Sequence, residues 1–167
     1  HICRRQRLAV GQHGLMGKQN VYEHSVGVPL MIKAAAQHTG KKTADLCYLI
    51  GVFPTLCDML QLPVPQSVDG ISLLSSLDGK EPVRDYLYYS YMDNQRGISD
   101  GTWKLIEYHV NGKRTTQLFN LKNDPWERND LSGQKKYEKT IQRLREKMAE
   151  EQKRTNDTSV FWNNFNY

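Results

Sequence analysis

The feature that most constrains this chain is a loop with a glycine at every third position. Three glycines recur within residues 11–17, Lys18 follows them directly, and an apolar run covers residues 26–32. Glycines at this density let a backbone turn tightly and approach a ligand closely. The apolar run predicts a buried strand that is entered through a tight turn. A flexible loop holding His13 and Lys18 over the end of a strand is typical of an oxyanion-binding site.

Two other interpretations of the loop fit the spacing less well. A Walker A phosphate loop requires G-x-x-x-x-G-K-[ST], but Gln12 stands where its first glycine belongs and Gln19 follows the lysine. A zinc site would need the ligand spacings of a finger or knuckle, which Cys3 and the nearby histidines do not have. For the glycines taken alone, an ordinary surface turn is the simplest explanation.

The charge and the cysteines limit the classes of partner. The 167 residues are enough for one domain with a sizeable core. Their net charge of +5 suits nucleic acid or an anionic polysaccharide. However, residues 135–154 alone hold eight Lys or Arg and four Glu without any nucleic-acid signature, so we interpret this segment as a solvated helix face and predict no nucleic-acid partner. No run is long enough to span a bilayer, so no membrane partner is predicted. Three cysteines without a C-x-x-C pair argue against a disulfide framework and against structural zinc.

The second half of the chain is predicted to form a four-stranded antiparallel meander and a helix. Aromatic or alternating segments lie at residues 86–91, 96–99, 102–109 and 115–120. Asp100-Gly101 and Asn111-Gly112 are hairpin signals between them. An apolar stripe at helical spacing, predicted to pack on the sheet, consists of Tyr137, Ile141, Leu144 and Met148.

The segment between the loop and this sheet predicts a strand, a short helix and a connector. Residues 43–50 are apolar and predict a second buried strand. Gly51 then precedes a helix with Pro54 in its first turn. The apolar stripe predicted for this helix consists of Val52, Leu56, Met59 and Leu60. Cys57 is interpreted as a small buried hydrophobic residue, and residues 61–81 as a connector rich in Pro and Gly.

The sequence GQHGLMGKQNVYEHS, followed by VPL, resembles the lysine motif of type I sulfatases in the alkaline-phosphatase-like superfamily. The resemblance continues to Arg154 and covers most of the chain. It implies an α/β fold: a C-terminal fragment of an alkaline-phosphatase-like domain, followed by a small four-stranded antiparallel sheet with a packed helix. Residues 1–80 would then be the C-terminal part of the sulfatase catalytic domain, 81–154 the antiparallel subdomain and 155–167 a tail.

This resemblance also implies roles for two residues. Lys18 is expected to contact the sulfate ester in binding and catalysis. His13 is expected near the same pocket, where it would donate a hydrogen bond or a leaving-group proton; a histidine that only braces the loop is an equal alternative. The parent protein would hydrolyse sulfate esters, plausibly on sulfated sugars, in partnership with the N-terminal part of the sulfatase. The family suggests a periplasmic, extracellular or lysosomal location, which the sequence itself does not specify.

Two essential parts of such an enzyme are missing from the chain. Family members use a formylglycine made from Cys or Ser in a C-x-[PA]-S-R motif, and none of the three cysteines begins that pattern. The family's calcium-binding Asp-His or Asp-Asn pair is also absent before Leu8. We therefore expect calcium in the parent enzyme, with ligands outside this chain, and no activity of the chain by itself.

Residues 1–7 fit a shifted reading frame, because one base later the codons can encode an apolar strand ending in Asp-Asn-Gly. A disordered basic terminus is the alternative explanation.

Two alternative functions also remain open at this point. One is a non-catalytic binding module for sulfated glycans or other polyanions, served by the basic charge and the aromatic strand at residues 86–91. The other is a phosphonate or phosphodiester hydrolase of the same superfamily.

Overall fold

The computed structural model describes residues 2–4, 9–33, 40 and 42–159. The chain divides into two compact units, each built from two segments. The first unit joins His1–Cys3 to Leu30–Leu87, and the second joins Arg4–Pro29 to Tyr88–Tyr167. The strands and helices, in chain order, are β1 (Ile2–Arg4), β2 (Ala9–Val10), β3 (Met16–Gly17), α1 (Glu23–Val26), β4 (Leu30–Ile32), α2 (Val52–Met59), α3 (Leu74–Asp78), β5 (Leu87–Tyr91), β6 (Gln95–Ser99), β7 (Trp103–Val110), β8 (Lys113–Asn120) and α4 (Glu138–Arg154).

Strands β5 to β8 form one sheet in chain order. Strands β7 and β8 pair antiparallel along their whole length around the Asn111-Gly112 turn. Both turn residues have positive φ, 51° and 74°, as a two-residue type I′ turn requires. In the β6–β7 turn, Oδ1 of Asp100 accepts the backbone N–H groups of Thr102 and Trp103. The predicted four-stranded antiparallel meander and both hairpin signals are confirmed.

One face of this sheet is covered by the segment that follows the glycine loop. Successive side chains of a strand point to opposite faces, so Lys104 and Ile106 of β7 share a face. On that face Ile106 and Phe119 form a buried apolar cluster with Val21 and Tyr22. The N-terminal segment therefore packs directly on a sheet formed by residues about eighty positions later in the chain.

The opposite face of the sheet is covered by α4, which packs against β6 and β7. The buried side chains of the predicted stripe are Ile141, Leu144 and Met148. Its fourth member, Tyr137, lies in the 3-10 turn before α4 and packs against Trp103, with ring centroids 5.2 Å apart. Arg145 of α4 donates from Nε to Oε1 of the buried Glu107 at 2.8 Å. The stripe is thus confirmed as a packing surface, and an ion pair accompanies it.

After α4 the chain returns to the sheet and binds it through Asp157. The guanidinium of Arg96, which is 3% exposed, donates to both carboxylate oxygens of Asp157 at 2.7 and 3.0 Å. The hydroxyl of Tyr88 donates to the same carboxylate at 2.7 Å. Burial alone would raise the pKa of Asp157, but these hydrogen bonds outweigh it and hold that pKa below its ordinary value. The predicted tail therefore contains a bound residue, and its positions 160–167 lie outside the described residues.

In the first unit, α2 begins after Gly51 as predicted, and Pro54 lies in its first turn. Proline is tolerated there because a helix leaves its first N–H groups unpaired. Cys57 is buried, as predicted. The segment interpreted as a connector contains the short helix α3, which ends at Gly79 with φ of 73°. Among the described residues, no helix is both long enough and apolar enough to cross a membrane.

The apolar stripe predicted for α2 is wrong. Leu60 is exposed and Leu56 is at the limit of exposure, whereas the buried face carries Thr55. The Thr55 hydroxyl donates to the carbonyl oxygen of Gly51 and accepts the N–H of Leu73 at 2.8 Å. Because these two bonds fix which side of the helix lies inward, a polar residue rather than the leucines faces the interior of this unit.

The two buried strands predicted in the first half of the chain are also wrong. The run at residues 26–32 begins in α1 and becomes a strand only at β4, where Met31 is 64% exposed. Residues 43–48 contain no helix or strand, and Leu49–Gly51 form a 3-10 turn. A strand needs neighbouring strands to pair its backbone N–H and C=O groups. Within the described residues, β4 has one such neighbour, β1.

The shifted-frame hypothesis for residues 1–7 falls mainly on positions outside the described residues, namely 1 and 5–8. Residues 2–4 form β1, which pairs with β4. The hypothesis therefore stays a prediction.

Candidate functional site

The glycine loop forms a small hairpin whose tip is a 3-10 turn over Gln12–Gly14. Strands β2 and β3 pair antiparallel, with Ala9 opposite Gly17. All three glycines have positive φ, between 69° and 98°, which side chains with a Cβ rarely adopt. His13 at the tip has φ of 55°, an uncommon value for a residue other than glycine. The glycine spacing therefore builds the turn, and strain is tolerated at the histidine that the turn presents.

His13 is held in place by ring stacking. Its ring lies parallel to that of Tyr22, with centroids 4.0 Å apart, and 5.6 Å from the ring of His24. The Tyr22 hydroxyl donates to Oε1 of Gln117 on β8 at 2.6 Å. The exposed His13 is therefore fixed to the sheet through a buried tyrosine, which fits both predicted roles, a loop brace and a donor beside a ligand.

Lys18 is exposed and lies directly after β3, at the base of the hairpin. Its carbonyl oxygen accepts the N–H of Asn20 at 2.9 Å. The side-chain amide oxygen of Asn20 in turn accepts the N–H of Tyr22 at 3.1 Å. His13 and Lys18 thus occupy the two ends of β3, His13 at the tip and Lys18 at the base. Lys18 is therefore an exposed residue on a stretch of backbone that hydrogen bonds hold in place.

Beneath the hairpin lies a buried charge cluster formed by Glu23, Lys104 and Glu127. Nζ of Lys104 is 2.9 Å from Oε1 of Glu23 and 3.0 Å from Oε1 of Glu127. The second oxygen of Glu127 accepts the N–H of Glu23, at the start of α1, at 2.6 Å. Lys104 is 0% exposed and Glu127 1% exposed, so both charges depend on these contacts. The cluster joins the segment after Lys18 to the sheet and to the loop that follows β8.

Burial disfavours the charged form of the Glu127 carboxyl group in this cluster. Burial raises the pKa of Glu127, and the ammonium of Lys104 opposes that shift only in part. Glu127 also has positive φ, 54°. Strained backbone persists where surrounding contacts fix it, and such positions are concentrated at functional sites.

Burial lowers the pKa of His24, and the nearby charges of His13 and Lys104 lower it further. His24 is therefore a neutral imidazole near neutral pH.

Sequence reasoning named His13 and Lys18 but missed the residues that hold them. Glu23 lies 81 residues from Lys104 and 104 residues from Glu127. No local pattern marks Lys104 as buried, because an alternating strand tolerates lysine on a solvent-facing side. The neighbours of Lys104 in β7 include Glu107 and His109, so a charged residue in this strand is not unusual and gave no signal of its own.

The described residues offer no ligand set for a metal ion. They contain no group of three or more His, Cys, Asp or Glu side chains arranged to hold a metal ion. The part of the chain that the structure describes therefore does not fit a calcium ion.

Most of this chain matches known proteins in sequence. The family model of the N-sulphoglucosamine sulphohydrolase C-terminal region matches residues 11–154. An N-acetylglucosamine-6-O-sulfatase of Bacteroides thetaiotaomicron is 28% identical over 165 residues, which cover 91% of this chain and 29% of that protein. The chain thus spans under a third of the length of this curated relative.

Solved structures share the fold. One, determined in complex with its substrate D-glucosamine-2-N,6-O-disulfate, matches with a TM-score of 0.71 and 25% identity over 94% of this chain and 34% of its own. The phosphonate monoester hydrolase of Agrobacterium radiobacter matches with a TM-score of 0.69 and 23% identity, over 86% of this chain and 32% of its own. At that identity the second likeness shows the fold alone. The predicted α/β class is confirmed.

Proposed function

Because this chain belongs to the N-sulphoglucosamine sulphohydrolase C-terminal family, we propose that it forms one edge of a sulfatase active site in which Lys18 contacts the sulfate ester. The resemblance to sulfatases in the lysine motif agrees with this membership. The relatives are about three times as long as the region they share with this chain. The proposal therefore concerns the activity of a whole sulfatase, to which this chain contributes Lys18 and the hairpin around it.

The observation that carries the proposal is the exposed residue Lys18, on a hairpin whose following segment packs on the sheet. Cleavage of a sulfate monoester develops negative charge on the leaving oxygen. A fixed cation lowers that barrier because it needs no reorganisation as the charge develops. A lysine ammonium is a compact point charge that suits a tetrahedral anion. His13, stacked on Tyr22, would donate a hydrogen bond to the same ester or a proton to its leaving oxygen.

The nucleophile and the metal would come from elsewhere in the sulfatase. None of the three cysteines lies in a C-x-[PA]-S-R motif. Calcium, as the resemblance implies, would be held by residues other than those described here. The remaining role of this chain is to bind and orient the sulfate through Lys18. The substrate class, a sulfated amino sugar, is supported by the relatives' names.

The two alternative functions receive less support. A glycan-binding module would expose the aromatic strand, but Tyr88 is buried, and Tyr89 and Tyr91 pack on the core cluster of the sheet. The phosphonate hydrolase alternative has only the likeness of fold.

The test is a binding measurement on the isotopically labelled chain by NMR. N-acetylglucosamine 6-sulfate should shift the backbone amides of residues 16–19, around Lys18, and unsulfated N-acetylglucosamine should leave these amides unmoved. Lys18→Ala should abolish these shifts. Lys122→Ala, which removes another exposed lysine of the same unit, should retain them. Shifts at residues 16–19 that persist unchanged in Lys18→Ala would contradict the proposed role of Lys18.

A further inference from the structure

A cleft lies beside the hairpin tip, within the second unit. It encloses about 560 Å³ and is lined by the tip of the hairpin, by α1 and by the loop after β8. The lining residues are Gln12, His13, His24 and the run Pro125, Trp126, Glu127 and Arg128. The volume is within the range of small-molecule sites, which is roughly 300–1,000 Å³. We call it the His24 cleft.

His24 gives this cleft an unused hydrogen-bonding group. The side chain is 6% exposed, and its Nε2 is buried without a hydrogen-bond partner among the described residues. Buried polar atoms in native proteins are almost always paired, so an exception calls for a functional explanation. A buried imidazole that lines a cleft and lacks a partner is suited to pair with a ligand.

The other lining residues suggest the chemistry of that ligand. Trp126 is 57% exposed, although tryptophan side chains are large and on average well buried. An open indole face suits the apolar face of a sugar ring. Arg128, next to Glu127 in the same loop, is exposed, and its planar guanidinium matches a carboxylate or sulfate group by paired hydrogen bonds. The amide of Gln12 and the imidazole of His13 can donate to or accept from hydroxyl groups.

We propose that the His24 cleft binds a pyranose ring that carries an anionic group, as a second sugar subsite next to the sulfate held by Lys18. This inference rests on the proposed function for its place in the substrate. Lys18 lies at the base of the hairpin, and β3 separates it from the tip that lines the cleft. This arrangement suits a substrate of more than one sugar unit, with its sulfate at Lys18, the leaving oxygen near His13 and a neighbouring acidic sugar in the cleft.

The first experiment uses glucuronate as the probe, because it is an anionic pyranose without a sulfate. Glucuronate should shift the indole N–H signal of Trp126, and glucose should bind at least roughly tenfold more weakly, because it lacks the charge-assisted bonds to Arg128. Arg128→Gln should reduce glucuronate affinity to the level of glucose. Lys122→Gln, which removes an exposed cation elsewhere on the same unit, should leave it unchanged.

A second variant separates this site from a structural histidine. His24→Phe keeps a stacking ring but removes both nitrogens. If Nε2 is unpaired in the free protein, His24→Phe should unfold at no lower temperature than the wild type, while glucuronate affinity falls at least roughly tenfold. A histidine whose nitrogens served the fold would instead lose thermal stability on this change.

The outcomes distinguish this inference from the proposed function. Glucuronate binding at Trp126 should survive Lys18→Ala, because the carboxylate is not held by Lys18. Failure of the sulfate site would therefore leave the cleft result intact. The inference is overturned if Trp126 shows no shift at glucuronate concentrations far above millimolar. It is equally overturned if the shifts are the same in wild type, Arg128→Gln and His24→Phe.

Discussion

Replacing Lys104 by methionine should destabilise the second unit more than any surface substitution. Methionine retains the length of the side chain but removes the charge between Glu23 and Glu127, which lie 2.9 and 3.0 Å from Nζ. Glu23 is partly exposed and can be solvated, whereas Glu127 is 1% exposed and would keep an uncompensated charge. Breaking a buried pair in this way costs about 3–5 kcal/mol. For a unit of this size, that loss lowers the unfolding temperature by more than about 10 °C.

The assay is thermal unfolding followed by near-ultraviolet circular dichroism at neutral pH. The matched control is Lys147→Met, because Lys147 forms an exposed pair with Glu150 at 2.8 Å. Pairs of that kind contribute about 0–1 kcal/mol, so the control should shift the unfolding temperature by only a few degrees. The difference between the two Lys→Met variants measures the effect of burial on the same chemical change.

A double variant tests the electrostatic reasoning itself. Glu127→Gln removes the second charge but leaves an amide oxygen to accept the N–H of Glu23. Lys104→Met/Glu127→Gln should therefore be more stable than Lys104→Met alone, because no fully buried charge remains. If the double variant loses the sum of the two single losses, the cluster acts through packing and not through charge.

The pH dependence of Lys104→Met follows from the same cluster. Without the ammonium, burial should raise the pKa of Glu127 further above its ordinary value. A carboxyl whose pKa is raised by folding binds more protons in the folded state, so stability falls as pH rises from the ordinary value through the raised one. Lys104→Met should therefore regain stability on mild acidification, and a variant equally unstable at both pH values would refute this assignment.

Three further predictions concern other parts of the chain. Asp157→Asn should lower the free energy of unfolding by about 3 kcal/mol in urea at neutral pH, because Arg96 loses its carboxylate partner. The pKa of Asp157 is lowered in the folded protein, so the wild type should lose this stabilisation only when the pH falls through that lowered value. Gly112→Ala should lower stability by about 1–2 kcal/mol because its φ is 74°, whereas Gly133→Ala, in open space without positive φ, should not destabilise. The purified chain should not hydrolyse 4-nitrophenyl sulfate with or without calcium, and measurable turnover would contradict our account of the chemistry.

The parts of the fold that sequence predicted correctly are those with local causes. Asn111-Gly112 specifies its turn through the φ values of two residues, and the stripe on α4 depends on a repeat within one helix. The strand predicted over residues 43–50 failed because a strand also needs a partner, which no local pattern supplies. The prediction that the leucines of α2 are buried was wrong for a related reason. Their repeat indicates an apolar face but does not indicate which face of the helix the unit buries.

The residues of the candidate site also differ in whether a local pattern or a distant contact determines them. His13 and Lys18 could be named because the loop motif is continuous in sequence. His24 was part of that motif, yet only the structure reveals its burial and its unpaired nitrogen. The Lys104–Glu127 pair joins two segments that look unremarkable alone, a strand and a polar turn, so neither could be predicted before the fold brought them together.

The hydrogen bond from Glu23 to Glu127 has a consequence for the order in which this protein is made. It joins residues 104 positions apart, and at a synthesis rate of about 5–20 residues per second the carboxylate is added roughly 5–20 s after its donor. Until then the nascent hairpin lacks this bond to the loop after β8. Contacts of such high sequence separation slow folding. The loop that carries Lys18 is therefore among the first parts of this unit to leave the ribosome and among the last to reach its final position.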